Sequence, residues 1–422
     1  MRIAQMKRRE DFDQILIQTL ARGWSEERGE AVDVSRDPLP GGQRFQTQPL
    51  LNAYFTATLC RAGRRFLRDG IRFTPHRMRL PVQWALSGPM TRRSALNVAS
   101  KDAFWVAPPF ARGETRLVIP GNQRVRVFDF DLERSRVFPK VGFSPDGMLR
   151  EIALRMGPIP GPFLPILSSS AEGSYLEEAI IQGWDLNRTP PWRRPTRLRR
   201  HAQRLLARWL ERTRERKRTV EVVDAAREAY LTALAAARAR FPRALPDPLE
   251  TWADALAERA NAGSVIDVAR THGDFQRGNI FVTRARRDVI LIDWEHQGIR
   301  SMHYDFFTEG LGARTNQGRG ARLRRYLAGG KTDSPIDDLH PAKRRQALAL
   351  FLLEDLTFFL KESVAGPLRA PEVRTLCDLW RRRLQGPRRP GLRNGYSASR
   401  HHGSFAASGT VLCPHRRCGI YR

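Results

Sequence analysis

The sequence THGDFQRGNIFV at residues 271–282, followed by DVILIDWEHQ at residues 288–297, decides the prediction of the fold. It contains two short apolar runs, Ile280–Val282 and Val289–Ile292, that are rich in β-branched residues. Two such runs around a short polar segment are typical of an antiparallel hairpin. We therefore expect a hairpin over residues 280–292, with a polar loop directly before it.

Side chains that carry oxygen collect at the open end of this predicted hairpin. Asn279 directly precedes the first strand and Asp293 directly follows the second, so an antiparallel pairing brings the two positions side by side. Asp274 lies five residues before Asn279, on the loop that must end where the strand begins. Amide and carboxylate oxygens are the hard ligands that suit Mg²⁺. The residues therefore predict a magnesium site at Asn279 and Asp293, next to Asp274.

The spacing of these residues resembles the catalytic loop of a known enzyme family. The pattern H-G-D-x-x-x-x-N, followed about fourteen residues later by a strand that ends in D-W-E, is similar to the aminoglycoside phosphotransferase and choline kinase family. More distantly, it is similar to the protein kinases. A lone H-x-D is common on surface loops, but the joint pattern of loop, strand, turn, strand and Asp is not. The resemblance covers about residues 115–380, and its specific motifs lie almost entirely within residues 272–305.

The resemblance implies an α+β, two-lobed protein-kinase-like fold. Its N-lobe is a small antiparallel sheet that carries one helix, and its C-lobe is larger and helical. The composition and periodicity of the chain place the boundaries. We expect an N-terminal extension, partly helical, over residues 1–114, the N-lobe over residues 115–184, the helical C-lobe over residues 185–386 and a disordered basic tail over residues 387–422.

Local patterns predict the elements of these parts. A helical face over residues 11–22 is expected to end at Gly23. Alternation with period two from about residue 115 predicts a hairpin, then a third strand in SRVFPKVGF and a helix in SPDGMLREIALRM. PFLPIL and SYLEEAIIQGW supply a further short apolar pair. In the C-lobe we expect helices over residues 196–218, 247–260, 341–364 and 371–385, the second with Asp247 as N-cap and Pro248 at the first helical position.

The resemblance implies roles for the residues of the loop. Asp274 is expected to orient an acceptor hydroxyl and to accept its proton late, because a loose transition state depends more on positioning than on basicity. His272 belongs to the same catalytic motif, but it is expected to bond the loop backbone rather than to act as a general base. Asp305 falls where the family often has an acid that braces the loop. A helix N-cap or a surface acid is an equally ordinary role for Asp305.

A kinase-like site also requires a cation on the triphosphate, held on an N-lobe strand and oriented by a helix carboxylate. Lys140 and Glu151 fit these positions, and Lys140 is the only lysine between Lys101 and Lys217. Pro139, directly before Lys140, removes a donor of the strand ladder and indicates an edge or bulged strand. The alternative is a solvated lysine and a glutamate on the helix surface.

The resemblance places the adenine contacts in SYLEEAIIQGW, where the backbone near Glu178 to Ile180 is expected to bond the base. The loop PGNQ of the preceding hairpin lies where kinases cover the phosphates, but it lacks G-x-G-x-x-G. Support for a backbone cradle around the phosphates is therefore weak. ATP and Mg²⁺ are the implied cofactors.

These inferences predict an ATP- and Mg²⁺-dependent phosphotransferase that acts on a hydroxyl of a small molecule, such as a sugar, a saccharide or an amino alcohol. The formal net charge of +29 favours an anionic or neutral acceptor. A pseudokinase that binds ATP without turnover is the alternative, but every implied site residue is present. Acids that are available to line an acceptor pocket, although such acids more often cap helices, are Asp333, Asp337, Asp338, Glu354 and Asp355.

A basic nucleic-acid-binding protein is a less favoured alternative. Residues 188–218 hold thirteen Arg or Lys with Trp192 and Trp209 among them, but Trp209 belongs to an apolar helical stripe. The four cysteines are too few and too scattered for a disulfide framework, and CPHRRC at residues 413–418 lacks a fourth zinc ligand. We find neither a signal peptide nor a run long enough to span a bilayer, so we expect a cytoplasmic protein.

Overall fold

The computed structural model of the chain describes residues 3–48, 52–70, 85, 102–189, 193–241, 245, 249–261, 263–284, 288–315 and 318–366. Its α-helices are α1 (Ile3–Arg9), α2 (Phe12–Arg28), α3 (Arg61–Gly70), α4 (Asp146–Arg155), α5 (Pro195–Arg212), α6 (Thr219–Arg240), α7 (Leu249–Ala260), α8 (Tyr304–Gly310), α9 (Arg319–Leu327) and α10 (Pro341–Val364). Its strands are β1 (Asp33–Ser35), β2 (Gln43–Gln48), β3 (Ala53–Phe55), β4 (Ala103–Ala107), β5 (Arg116–Pro120), β6 (Arg124–Asp129), β7 (Arg134–Pro139), β8 (Ile166–Ser169), β9 (Leu176–Ala179), β10 (Gly183–Asp185), β11 (Glu215–Arg218), β12 (Val265–Thr271), β13 (Ile280–Thr283), β14 (Val289–Leu291) and β15 (Gly298–Ser301).

The N-lobe is one antiparallel sheet with the strand order β1-β4-β2-β3-β5-β6-β7-β9-β8. The predicted hairpin is formed by β5 and β6, the predicted third strand is β7, and the predicted helix is α4, so these predictions are confirmed. Strands β1 to β4 come from residues 33–107, inside the segment predicted as an extension. The sheet therefore crosses the boundary predicted at residue 115. Strands β1 and β3 are only three residues long, too short to show an alternation.

Both faces of this sheet are covered. On one face Val127 and Phe138 share a buried cluster with Leu20 of α2. On the other face Val137 is buried with Met148 of α4. Because successive side chains of a strand point to opposite faces, Val137 and Phe138 of β7 serve different layers. The two faces are thus divided between the N-terminal helices and α4, and this division decides which side chains can reach a site next to α4.

Gly23 does not end the first predicted helix. The helix α2 continues to Arg28 and ends at Gly29, whose φ of 67° is the left-handed geometry of a helix end. Gly23 is instead a contact point, because a Cβ on it would lie 2.6 Å from Cε1 of Phe138. Trp24 is fully buried and continues the apolar face of the helix past Gly23. The glycine therefore serves the close approach of helix and sheet.

The C-lobe packs around a buried cluster that contains an aromatic centre. Phe163, Trp209 and Trp294 meet edge to face, with ring centroids 5.6 to 5.8 Å apart. The indole N–H of Trp209 donates to the carbonyl oxygen of Arg270 at 2.6 Å. Trp209 is thus a core residue, with no free face on which a nucleic-acid base would stack.

The helix predicted over residues 196–218 ends earlier, at Arg212. Residues Glu215–Arg218 form β11, which pairs with β12. The hydroxyl of Thr213 donates to the carbonyl oxygen of Trp209 at 3.1 Å, and it accepts the backbone N–H of Arg270 at 3.2 Å. These bonds tie the end of α5 to β12, so tertiary contacts end a helix that sequence periodicity would continue.

The predicted helix over residues 341–364 is α10, and its side-chain N-cap is His340. The predicted helix over residues 371–385, the predicted tail over residues 387–422, and the predicted cap at Asp247 and Pro248 lie outside the described residues. Within the described ranges, no helix is both long enough and apolar enough to cross a membrane.

Candidate active site

The hairpin predicted from the opening stretch is present. Strands β13 and β14 pair in antiparallel register, with Ile280 opposite Leu291. The next bond of the ladder runs from the N–H of Ile292 to the carbonyl oxygen of Asn279 at 3.0 Å. Asn279 therefore lies opposite Ile292, and Asp293 follows one residue later at the open end of the hairpin, so the observed register is one position from the predicted pairing. Asp293 has a φ of 71°, so the chain turns sharply where the second strand ends.

Asp305 braces the loop that precedes the hairpin. One of its carboxylate oxygens accepts the N–H of His272 at 2.6 Å, and the other accepts the N–H of Gly273 at 2.9 Å. Gly273 has a φ of 85°, and a Cβ on it would lie 1.9 Å from the carbonyl oxygen of His296. Asp305 is fully buried, inside α8 rather than at its N-cap. Burial raises the pKa of Asp305, and the two N–H donors offset part of that cost.

His272 links the loop to the end of β14. Its Nε2 lies 2.9 Å from the carbonyl oxygen of Ile292, and its Nδ1 accepts the backbone N–H of Asp274 at 3.3 Å. This pattern selects the neutral tautomer that is protonated on Nε2. Burial also lowers the pKa of His272, and its ring lies 4.5 Å from that of Trp294. These contacts suit the backbone-bonding role expected of His272.

The carboxylate of Asp274 is held by three donors. Its Oδ2 accepts Nε2 of Gln276 at 2.8 Å and Nδ2 of Asn279 at 2.9 Å. Its Oδ1 accepts Nε of Arg314 at 2.6 Å. The amide nitrogen of Asn279 also donates to the carbonyl oxygen of Asp274 at 2.9 Å. Both amide hydrogens of Asn279 are thus turned toward Asp274, and its amide oxygen accepts no hydrogen bond from the described residues.

Asp293 supplies a carboxylate whose charge is poorly compensated by the protein. No donor among the described residues bonds its oxygens. Burial, and then the charge of Glu295, raise the pKa of Asp293 to about 7. A half-buried carboxylate with a raised pKa, one residue beyond the cross-strand partner of Asn279, fits a divalent cation. No group of three His, Cys, Asp or Glu in the described ranges is placed to hold a metal, but Mg²⁺ commonly takes one or two protein ligands with water and phosphate oxygens.

The chain matches one family of enzymes over this region. Residues 159–340 match the sequence profile of the phosphotransferase enzyme family, and this range contains the loop, the hairpin and Asp305. The predicted resemblance is confirmed. The match supports a phosphotransferase that acts on hydroxyl groups of small molecules.

Several solved phosphotransferases have a related architecture. A choline/ethanolamine kinase family protein of Mesorhizobium loti matches at 16% identity over 62% of this chain and 86% of that chain, with a TM-score of 0.40. An aminoglycoside phosphotransferase of Streptomyces rimosus matches at 17% identity over 57% and 92%, with a TM-score of 0.35. Choline kinase of Streptococcus pneumoniae matches at 13% identity over 64% and 93%, with a TM-score of 0.38. These TM-scores are below 0.5, so no residue role is carried over, and no curated protein sequence matches significantly.

The predicted pair of Lys140 and Glu151 is not formed in the structure. Nζ of Lys140 pairs with Oε1 of Glu10, and both side chains are fully buried. It also lies 3.6 Å from the sulfur of Met6 in α1. Lys140 follows the last residue of β7 and turns to the side of the N-terminal helices, away from α4. A lysine that is locked to α1 in this way does not reach a nucleotide next to α4.

Arg124 of β6 holds Glu151 instead. Its Nη1 lies 2.7 Å from Oε2 of Glu151, and its Nε lies 2.8 Å from Oε2 of Glu295. Its Nη2 is buried and has no hydrogen-bond partner among the described residues. Sequence reasoning missed Arg124, although the alternation RVRV in β6 was a signal. With Val125 buried toward α2, Arg124 must point toward α4.

The segment predicted to bond adenine is engaged within the protein. Glu178 pairs with Arg126, and its Oε2 lies 2.9 Å from Nη2 of Arg155. The backbone N–H of Ile180 donates to the carbonyl oxygen of Glu133 at 2.9 Å. Ile180 therefore has no free N–H to offer a base.

The acids that the sequence offered for an acceptor pocket have several roles. Asp355 is buried between Arg314, at 2.5 Å, and Arg319. Asp337 accepts the hydroxyl of Thr332 at 2.8 Å within a turn. Glu354 accepts the N–H of Ser301 at 3.2 Å through Oε1, but its Oε2 is buried with no partner in the described part of the chain. Asp333 and Asp338 are exposed, so Glu354 is the acid of this set with a buried and unsatisfied oxygen.

Replacing Glu354 with Gln is expected to stabilise the protein at neutral and alkaline pH. Burial raises the pKa of Glu354 from 4.5 to about 7. Between these values the folded chain holds a proton that the unfolded chain releases, so the stability of the wild type falls as pH rises through this window. Glu354→Gln lacks this loss and should gain up to roughly 3 kcal/mol over the wild type between about pH 4 and about pH 8. Thermal unfolding of wild type and variant at both pH values measures the gain. The control is Glu258→Gln, because Glu258 is exposed. A stability difference between Glu354→Gln and the wild type that does not change with pH would contradict the assignment.

Proposed function

We propose that the chain is an ATP- and Mg²⁺-dependent phosphotransferase that moves the γ-phosphoryl group of ATP to a hydroxyl of a small molecule. The bridging position of Asn279 carries this proposal. Its side-chain amide nitrogen donates to Asp274 at 2.9 Å. Its backbone carbonyl oxygen accepts the N–H of Ile292, the residue directly before Asp293. One short segment thus joins a group that can receive a proton to a carboxylate that suits a metal ion.

Asn279 and Asp293 are the residues that would hold Mg²⁺, through the free amide oxygen of the first and the poorly compensated carboxylate of the second. The ion neutralises charge on the phosphates of ATP when it is bound. Arg124 takes the role that was expected of Lys140. It is oriented by Glu151, and its buried Nη2 is the donor that a phosphate oxygen would satisfy.

Asp274 orients the acceptor hydroxyl. Its carboxylate is fixed from three sides by Gln276, Asn279 and Arg314, so it presents its remaining lone pair in one direction. The oxygen of the acceptor forms a bond to the γ-phosphorus while the bond from that phosphorus to the bridging oxygen of ADP breaks, and the hydroxyl proton passes to Asp274. Such positioning is the main contribution of protein groups to phosphoryl transfer.

Replacing Asp274 with Asn tests this assignment. The amide keeps the size of the side chain but cannot accept the proton, so kcat is expected to fall by at least about a hundredfold. Binding of Mg²⁺ and ATP, measured as a rise in melting temperature, should persist because the metal-binding residues are intact. ADP release in the presence of sugars, hydroxy acids and amino alcohols measures kcat. A variant that keeps the wild-type rate would contradict the role of Asp274, and a wild type that binds Mg²⁺ and ATP without any turnover would favour the pseudokinase alternative.

A further inference from the structure

A cavity of about 810 Å³ lies beside the segment Glu295–Arg300, which follows the hairpin of Asn279 and Asp293. It lies between the beginning of α4, the segment from Glu295 to Arg300, and the C-terminal end of α10. Its volume lies within the range of ordinary small-molecule pockets. The ion pair of Arg124 and Glu151 and the proposed metal ligands Asn279 and Asp293 do not line it. The cavity therefore offers space for a second substrate next to the nucleotide residues.

Two residues that line the cavity also contact the loop or its ion pairs. Nη1 of Arg300 donates to the hydroxyl of Thr271 at 2.9 Å and to the carbonyl oxygen of His296 at 3.0 Å. The ring of Phe358 lies 3.8 Å below the guanidinium of Arg314, which binds Asp274. The wall of the cavity thus contacts both Thr271, directly before the loop, and the guanidinium that binds Asp274.

Beside Lys217, which pairs with Glu215 at 3.5 Å, three further cations from different elements line this cavity. They are Arg150 of α4, Arg300 of β15 and Lys361 of α10. Among the described residues none of the three makes an ion pair with a carboxylate. Arg150 donates to the carbonyl oxygen of Glu295 at 3.3 Å, and Arg300 donates to the groups named above. Partial burial, and then the charges of Arg300 and Arg150, lower the pKa of Lys361, so the three charges act on one another.

The acids that line the cavity are largely engaged. Glu295 pairs with Arg124 at 2.8 Å. Both oxygens of Glu362 accept Nε2 of Gln123 at 2.9 Å. At the rim, Glu221 pairs with Arg218 and Asp146 is exposed to solvent.

Glu354 is the remaining acid, and burial raises its pKa to about 7. It is therefore partly neutral at physiological pH. The positive groups of the cavity are consequently less compensated than its negative groups.

Arg314 adds a further positive charge at the catalytic carboxylate. Its guanidinium binds Oδ1 of Asp274 and Oδ1 of Asp355, and it covers one face of Phe358. These acidic and aromatic groups are the ones that an ammonium group of an acceptor would need. Because Arg314 already occupies these groups, the ammonium group of an amino alcohol would have to compete with an internal cation at Asp274.

We propose that the acceptor is an alcohol that carries an anionic group, a carboxylate or a phosphate, and that Arg150, Arg300 and Lys361 bind this group in the cavity while the hydroxyl reaches Asp274. This inference rests on the proposed function, and it names the substrate class of the same site. It also replaces the neutral and cationic acceptors that the sequence left open.

Matched acceptors test the proposal on the full chain. Glucose, glucuronate and glucosamine compare a neutral, an anionic and a cationic form of one ring, and glycerol with glycerol phosphate adds the phosphate source. Calorimetry in the presence of Mg²⁺ and a non-hydrolysable ATP analogue measures binding, and ADP release measures turnover. The variant Lys361→Gln removes one cation of the cavity, and Lys343→Gln removes an exposed lysine from the other end of the same helix.

The anionic members are expected to bind at least about tenfold more tightly than their neutral partners. Lys361→Gln should remove most of this preference without changing the KM for ATP, while Lys343→Gln should leave it unchanged. Equal or better binding of glucose or glucosamine, no binding of any anionic member, or equal effects of the two variants would each overturn the inference. Phosphoryl transfer to neutral or cationic alcohols alone would overturn the inference but leave the proposed function standing. Binding of the anionic members that is weakened by Lys361→Gln, without any phosphoryl transfer, would keep the anion site but overturn the proposed function.

Discussion

Replacing Asp293 with Asn is expected to abolish the Mg²⁺-dependent binding of ATP and to lower phosphoryl transfer by at least about a thousandfold. The amide has the same shape as the carboxylate but carries no charge, so it is a poor ligand for a hard divalent cation. Asp293 is the more important of the two proposed ligands, because the other, Asn279, is neutral. Melting temperature with and without Mg²⁺ and ATP measures binding, and ADP release measures transfer.

The stability of the same variant separates loss of the metal site from loss of the fold. Burial and Glu295 raise the pKa of Asp293 to about 7, so its ionised form costs stability above that pH. Asp293→Asn without ligand should therefore melt at or above the wild-type temperature at about pH 8. The matched control is Asp288→Asn at the start of β14, because this acid is largely exposed to solvent. Retained Mg²⁺-dependent binding in Asp293→Asn, or loss of binding in Asp288→Asn, would refute the assignment.

Replacing Arg124 with Gln is expected to lower kcat/KM for ATP on the order of a hundredfold. Among the described residues, Arg124 is the only cation of the sheet that pairs with Glu151 of α4, and the substitution removes its charge. Replacing Lys140 with Met should have the opposite profile. It leaves the buried Glu10 without its nearest partner, which should lower the free energy of unfolding by roughly 3 kcal/mol. The folded fraction of Lys140→Met should keep its KM for ATP.

The two variants together decide between the arrangement predicted from sequence and the one in the structure. Steady-state kinetics below the melting temperature and chemical denaturation measure the two effects separately. A Lys140→Met enzyme that is stable but fails to bind ATP would restore the predicted role of Lys140. An Arg124→Gln enzyme with normal kinetics would remove Arg124 from the nucleotide site.

The hairpin and its flanking residues could be predicted because all their determinants are local. Asn279 and Asp293 flank one hairpin, so the strand register alone brings both to its open end. Asp305 was placed by its spacing in the family motif, and the structure supplies its reason, since it binds two backbone N–H groups of the loop.

The ion-pair partner of Lys140 could not be predicted from the sequence in the same way. Lys140 and Glu151 satisfy the expected spacing, but spacing along the chain does not say which face of the sheet a residue leaves from after Pro139. That choice depends on Glu10, which lies 130 residues earlier in sequence, and on the helices that cover the sheet. The same helices explain Gly23, whose missing side chain makes room for Phe138.

The amino-acid sequence by itself determined the loop of Asp274, the hairpin flanked by Asn279 and Asp293, the order of the elements from residue 116 to α4, and the resemblance to small-molecule phosphotransferases. These features depend on contacts between near neighbours, which leave a pattern in the residues. Only the tertiary structure decided that the sheet includes strands β1 to β4, that Arg124 rather than Lys140 meets Glu151, and that Arg314 binds Asp274. Each of these depends on groups brought together from distant parts of the chain, where burial and charge pairing select the partner and the spacing of residues carries no record of it.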